Sequence, residues 1–387
     1  MADRERIEQR RHLEEFRITE KRNRRLKLKA GRENSRRLKK ELKEEFRQRD
    51  RQAKLEWAKL SSEDRARAKK ARLLERKERK KQLRLSFKDR FSNFINSFRS
   101  LNIRTLKRKF REFRESAPKR RRLLLISFNS TVLFLLSYLS LFLISQAVTV
   151  ITASFFNYPT TLYYYEIYFN ISPEAWYHDS VKTIFSAGPL VNFVIGITFL
   201  IIYTNIKEWT GPFKLFFLWG FLHAVNMLFG AMLIGTLFET GVGHVISWMY
   251  IMDTGRVLYS IISIFLLVIA GLLASRQFLI SGNTYYNEIN RYNRSSFVIA
   301  QVLLPFLAGN VILVILRQPR FIFYDTFIAI TLVISILPVL VTYRSFNDLY
   351  FEEEEKVPGI SWLALVLLTG VVLIFRGLLE IGIQFGG

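Results

Sequence analysis

Four histidines, His12, His178, His223 and His244, and no cysteine make up the soft-ligand inventory of this 387-residue chain. No two of the histidines lie three or four residues apart, so no helix offers one metal ion a pair of imidazoles. Without cysteine there is no disulfide, thiolate zinc site, Fe–S cluster or thiol nucleophile. No serine–histidine–aspartate pattern, phosphate-binding glycine loop or dinucleotide fingerprint is present, and no cofactor is expected. The polar residues that could do chemistry stand instead inside apolar runs, where they are costly and become candidates by default. His223 and Asn226, at i and i+3, share one helix face, and Glu239 and His244 follow among Gly220, Gly230, Gly235, Gly241 and Gly243. Two readings are open for them. They bond neighbouring helices, the glycines allowing close approach, or they form a substrate or ion site. Gln301 and Asn310 carry the same alternatives, and Arg376 and Glu380, at i and i+4, are expected to satisfy each other.

The elements that must position these residues follow from charge. Residues 1–122 hold 46 Lys and Arg against 19 Asp and Glu; residues 123–387 hold 12 against 14. The step falls at Lys119-Arg120-Arg121-Arg122, directly before Leu123-Leu124-Leu125-Ile126. Cations accumulate on the cytoplasmic side of a membrane and orient the first span. Charge-free windows at 123–165, 183–206, 215–238, 257–275, 295–316, 326–343 and 357–375 then read as spans, each near the roughly 20 residues that cross the hydrocarbon. The fold class expected is all-α: a polytopic helical membrane protein with about seven transmembrane helices, its N-terminus cytoplasmic and its C-terminus outside. Lys182, Arg256, Arg317 and Arg320 fall on the outer side and run against the charge rule. After the first span, the aromatic and partly alternating run Ser154–Ile171 predicts a small hairpin-like insert at the outer interface.

Three regions are expected. Residues 1–85 form a basic, charged cytoplasmic helical arm, too polar to bury a core. Residues 86–122 form an amphipathic juxtamembrane segment, and residues 123–387 the transmembrane bundle. In the middle segment Phe87, Phe91, Phe94 and Phe98 recur at helical spacing, opposed by cations that include Lys107, Arg108 and Lys109 and continue to Arg120, Arg121 and Arg122. A phenylalanine stripe facing cations predicts a helix lying on an anionic lipid surface. The charge of the arm also allows ribosome or RNA contact through phosphate neutralisation.

One run carries a family resemblance. Ser186-Ala187-Gly188-Pro189-Leu190-Val191-Asn192 opens the second span, and its Gly188, Pro189 and Asn192 resemble the Ala-Gly-Pro-x-x-Asn signature of site-2-protease-like intramembrane zinc metallopeptidases. The resemblance covers about residues 123–250. It implies a first core span whose His-Glu-x-x-His holds zinc and a catalytic base. At the matching place stand Ser145, Gln146 and Thr149. The family's later Asn-x-x-Pro context matches Asn226 but has Phe229 in place of proline. The resemblance therefore implies a degenerate, non-catalytic member: a pseudoprotease scaffold in a bacterial inner membrane. Its bundle would recognise a membrane or periplasmic protein, and its arm anionic lipid or a cytoplasmic partner. A ribosome or RNA tether that assists insertion, and a transporter using the polar residues of span three, are the alternatives.

Overall fold

The computed structural model describes residues 117–207, 211–320, 322–351 and 359–386, together with Asp89, Phe91, Ser92, Ile95 and Asn96. The chain divides into two units, Met1–Ser86 and Phe87–Gly387, and every described residue belongs to the second. The expected arm at 1–85 lies outside the described residues, as do Phe87, Phe94, Phe98, Lys107, Arg108 and Lys109.

The apolar runs form helices because a backbone without water must satisfy its own hydrogen bonds. They are α1 (Ala117–Phe155), α2 (His178–Ile206), α3 (Lys214–Phe238), the short α4 (Val242–Trp248) and α5 (Asp253–Ile280). Then come α6 (Arg294–Val298), a π turn at Ile299–Leu303, α7 (Leu304–Arg317), α8 (Phe323–Thr342) and α9 (Trp362–Leu373), which widens into a second π turn at Ile374–Leu378. Among the described residues, six helices are long and apolar enough to cross a membrane: Arg120–Phe155, His178–Ile206, Lys214–Phe238, Asp253–Thr284, Arg294–Arg317 and Phe323–Ser345. This is compatible with an integral membrane protein. The seventh expected window yields only the shorter apolar helix Trp362–Leu378. Its neighbouring residues 352–358 lie outside the described part.

Helix α3 is the centre of the bundle. It packs on α1, α2, α5 and α8. About 61% of its most apolar window is buried, against 22% for α2, which therefore lies at the periphery. Large side chains fill the space around α3, among them Phe134 from α1, Trp219 and Phe278, with the Trp219 ring edge-on to Phe134 and to Phe278 at 5.0 Å each. Two glycines allow close approaches between helices. A Cβ on Gly271 of α5 would strike the Ser335 carbonyl of α8, and one on Gly188 of α2 would strike Ser145 and Thr149 of α1.

Small sheets mark the two ends. At one end β1 (Thr160–Leu162) and β2 (Ile167–Phe169) form the expected hairpin, with Thr160 opposite Phe169 and Leu162 opposite Ile167. The third strand was not foreseen. Residues Ile383–Phe385, as β5, pair antiparallel with the free edge of β1, so that β1 becomes the central strand. At the other end, where α5 and α8 stop, β3 (Glu288–Ile289) pairs with β4 (Leu349–Tyr350). The structure is mostly helical, as expected, and among the described residues the bundle also carries five short strands, of which β1 with β5 and β3 with β4 join segments distant in sequence.

Candidate functional site

The interior holds a connected polar cluster built on α1. Ser130 donates to the Gln301 carbonyl at 2.7 Å and accepts the Trp219 indole N–H at 3.0 Å. That carbonyl is available because the residue four positions on is Pro305, which has no N–H to give it. The Gln301 amide in turn donates to the Phe278 carbonyl at 3.0 Å and to Ser281. One turn beyond Trp219, the His223 ring is enclosed by aromatic rings: Phe134 at 4.4 Å, Tyr138 at 5.2 Å and Trp219 at 6.1 Å between centroids. Among the described residues its Nε2 is buried without a hydrogen-bond partner, as are Gln301 Oε1 and Asn192 Oδ1.

Tyr138 links this cluster to an ion pair. Arg317, at the end of α7, donates to the Tyr138 hydroxyl at 2.7 Å, stands 3.4 Å from Asp325 of α8, and lies over the Tyr138 and Phe142 rings. The Arg317 side chain is 5% exposed. A buried guanidinium is tolerable only when its charge and its donors are met, and here carboxylate, hydroxyl and two ring faces meet them. Beside it a shallow apolar groove of about 270 Å³ runs between α7 and α8, lined by Asn310, Val314, Thr326 and Ile330 and closed by Arg317.

The structure separates the four polar residues expected to form one intramembrane site. His223 faces α1. Asn226 faces α8, donating to the Ile328 carbonyl at 2.6 Å and accepting from Thr331 at 2.9 Å. Glu239 sits past the end of α3 in the left-handed conformation, φ 53°, and pairs with Arg256. His244, on α4, packs its ring 5.0 Å from Phe185 of α2. Outside the spans, burial holds the His244 imidazole below its ordinary value, against the opposing pull of Glu239.

The residues of the family-like motif, by contrast, do meet. Ser145 and Thr149 of α1 line the face that Gly188 approaches. Gln146 is half-buried beside them, and Pro189 interrupts the donor ladder inside α2. Asn192, fully buried, donates to the Leu141 carbonyl of α1 at 3.1 Å and to the Met227 sulfur of α3 at 3.2 Å, so that it fastens three helices together. Among the described residues, no cluster of three or more His, Cys, Asp or Glu could hold a metal ion.

Of the basic stretch, Arg120, Arg121 and Arg122 are exposed at the start of α1, and the Arg122 guanidinium lies 5.4 Å over the Tyr286 ring. Phe91 is the described member of the phenylalanine stripe, edge-on to Phe265 of α5 at 6.5 Å. Sequence reasoning missed the part played by Tyr138, Arg317 and Asp325. The signal was present: an arginine closing one apolar run and an aspartate opening the next, eight residues on. No family model matches this chain, and no curated protein or solved structure matches it either.

Proposed function

We propose that the chain is a non-catalytic polytopic membrane protein that works as a binding scaffold, a degenerate relative of site-2-type proteases. In this reading α9 completes a seventh crossing, the N-terminus is cytoplasmic and the membrane is a bacterial inner membrane. The observation that carries the proposal is the meeting of Ser145 and Thr149 with Gly188, beside Asn192. The two family-like segments are neighbours in space, yet hydroxyl and amide groups stand where imidazoles and a carboxylate would be needed for zinc and a base. Asn192 spends its N–H groups on α1 and α3, as a helix fastener does.

A recognition surface is available on the same peripheral helix. Leu190 and Val194 of α2, next to the motif, are 50% and 63% exposed. In a bilayer that face meets lipid or another transmembrane segment. The separation of His223, Asn226, Glu239 and His244 onto different neighbours favours a scaffold over a transporter that uses them as one site.

The test is photo-crosslinking from position 190 or 194 in native membranes, with full-length protein and with a form lacking residues 1–85. The scaffold reading expects the same membrane protein adduct in both. Lipid adducts alone would sink it. Ribosomal components captured only when residues 1–85 are present would move the tethering alternative ahead. Bound zinc at about one equivalent in purified protein would overturn the non-catalytic reading.

A further inference from the structure

A polar cavity of about 510 Å³ opens at the end of the bundle where α6 begins and α8 stops. Its lining contains three arginines, Arg291, Arg294 and Arg344, against one carboxylate, Asp348, together with Ser345 and Asn347. The lone carboxylate is already engaged. Arg294, 3% exposed, donates to Asp348 at 2.6 Å, to the Phe346 carbonyl at 2.6 Å and to the Asn347 carbonyl at 3.0 Å. These bonds shape the 343–348 loop into one wall of the cavity. Arg344 gives its Nε to the Tyr343 hydroxyl at 3.1 Å and lies against that ring, and the residue lines the cavity while remaining exposed. Among the described residues, neither Arg344 nor Arg291 has an acidic partner within ion-pair distance. Two exposed guanidinium groups beside a cavity whose own anion is spent make a receptor for a planar or tetrahedral oxyanion, held through paired N–H donors.

Depth selects the source of that anion. The cavity lies at the ends of two apolar helices long enough to cross a bilayer, Arg294–Arg317 and Phe323–Ser345, so in a bilayer its mouth would stand at the level of lipid headgroups. We propose that this cavity binds the phosphate of an anionic phospholipid, with Arg291 and Arg344 as its two anion ligands. The site requires only that these helices lie in a bilayer. Its lining includes no residue of the basic segment before α1, and it does not depend on the scaffold reading.

The full chain, purified in detergent, is followed by hydrogen exchange over residues 343–348 while phosphatidylglycerol, phosphatidylcholine or inorganic phosphate is titrated. Phosphatidylglycerol slows exchange in the loop and phosphatidylcholine does not. Arg291→Gln with Arg344→Gln weakens the phosphatidylglycerol response about 30-fold, as expected for two interfacial cations. The matching double lysine variant recovers part of it. Unchanged exchange in α3 verifies that the variants are folded. Equal protection by millimolar inorganic phosphate overturns the lipid source and assigns the site to a soluble phosphate compound. A double glutamine variant that responds to phosphatidylglycerol as the parent does overturns the site itself.

Discussion

The two ends of the bundle carry their cations differently. At the end bearing β1, β2 and β5, four of them have carboxylates: Lys182 with Asp179, Arg256 with Glu239, Arg317 with Asp325 and Arg376 with Glu380. A fifth, Arg320, donates to the Tyr165 hydroxyl at 2.6 Å and lies over its ring. At the end where α1 begins, Arg294 has Asp348, whereas Arg291 and Arg344 have no carboxylate among the described residues. The difference teaches what the apparent exceptions to the charge rule are. Arg256, Arg317 and Arg320 are fasteners between neighbouring segments, and Lys182 is paired within its own helix, so each is neutralised or covered where it stands. They are not the mobile, solvated cations that interact with a membrane surface.

Removing the most deeply set fastener breaks the comparison most strongly. Arg317→Ala leaves Asp325 buried without its partner and takes the donor from Tyr138, so unfolding in detergent is expected to lose about 3–5 kcal/mol. A loss under about 1 kcal/mol would show that water reaches the pair. Next is Arg294→Gln, which removes the carboxylate-paired arginine found among the described residues at the other end. Its charge-assisted bonds to the 343–348 loop predict a loss of about 1.5–3 kcal/mol, read by the same unfolding assay.

A pH effect distinguishes the ends without a large energy. His244 is held below its ordinary value of 6.5 by burial, so the unfolded chain takes up the proton first. Stability is therefore complete above about 6.5 and falls as the pH drops through the lower folded value. His244→Phe should flatten that slope in acid unfolding curves, and an unaltered slope would assign it elsewhere. Arg256→Gln, at a half-exposed pair, is expected to cost only about 0.2–1 kcal/mol. Smallest of all is Arg344→Gln. With no carboxylate partner among the described residues, it should change stability by no more than about 0.5 kcal/mol while altering the lipid response of the 343–348 loop. A larger stability loss there would erase the distinction between the ends.

The spans were legible because charge-free length is a local property. The windows at 215–238 and 295–316 coincide closely with α3 and with the helical run from Arg294 to Arg317. The hairpin was legible too, since aromatic alternation around Pro159 is local. Strand β5 was not, because Ile383-Gln384-Phe385 acquires its meaning only from the free edge of β1. The candidate site divides in the same way. His223 and Asn226 announce themselves as polar groups in apolar runs, but which helix each one faces depends on packing that spacing alone does not encode. Arg317 and Asp325 looked like loop charges because both stand at the ends of their runs, and only the position of Tyr138 draws them inward.

The pairing of β5 with β1 also imposes an order on biosynthesis. When β1 and β2 emerge, the edge of β1 that receives Ile383–Phe385 has no neighbour yet, and every intervening helix must be placed before one arrives. Tyr164 waits for the same moment, since its amide donates to the Leu379 carbonyl and its ring carries the Arg376 guanidinium at 4.3 Å. A nascent chain stalled before residue 376 therefore displays an unprotected strand edge and a bare aromatic ring, the features by which a quality-control protease could tell an unfinished molecule from a finished one.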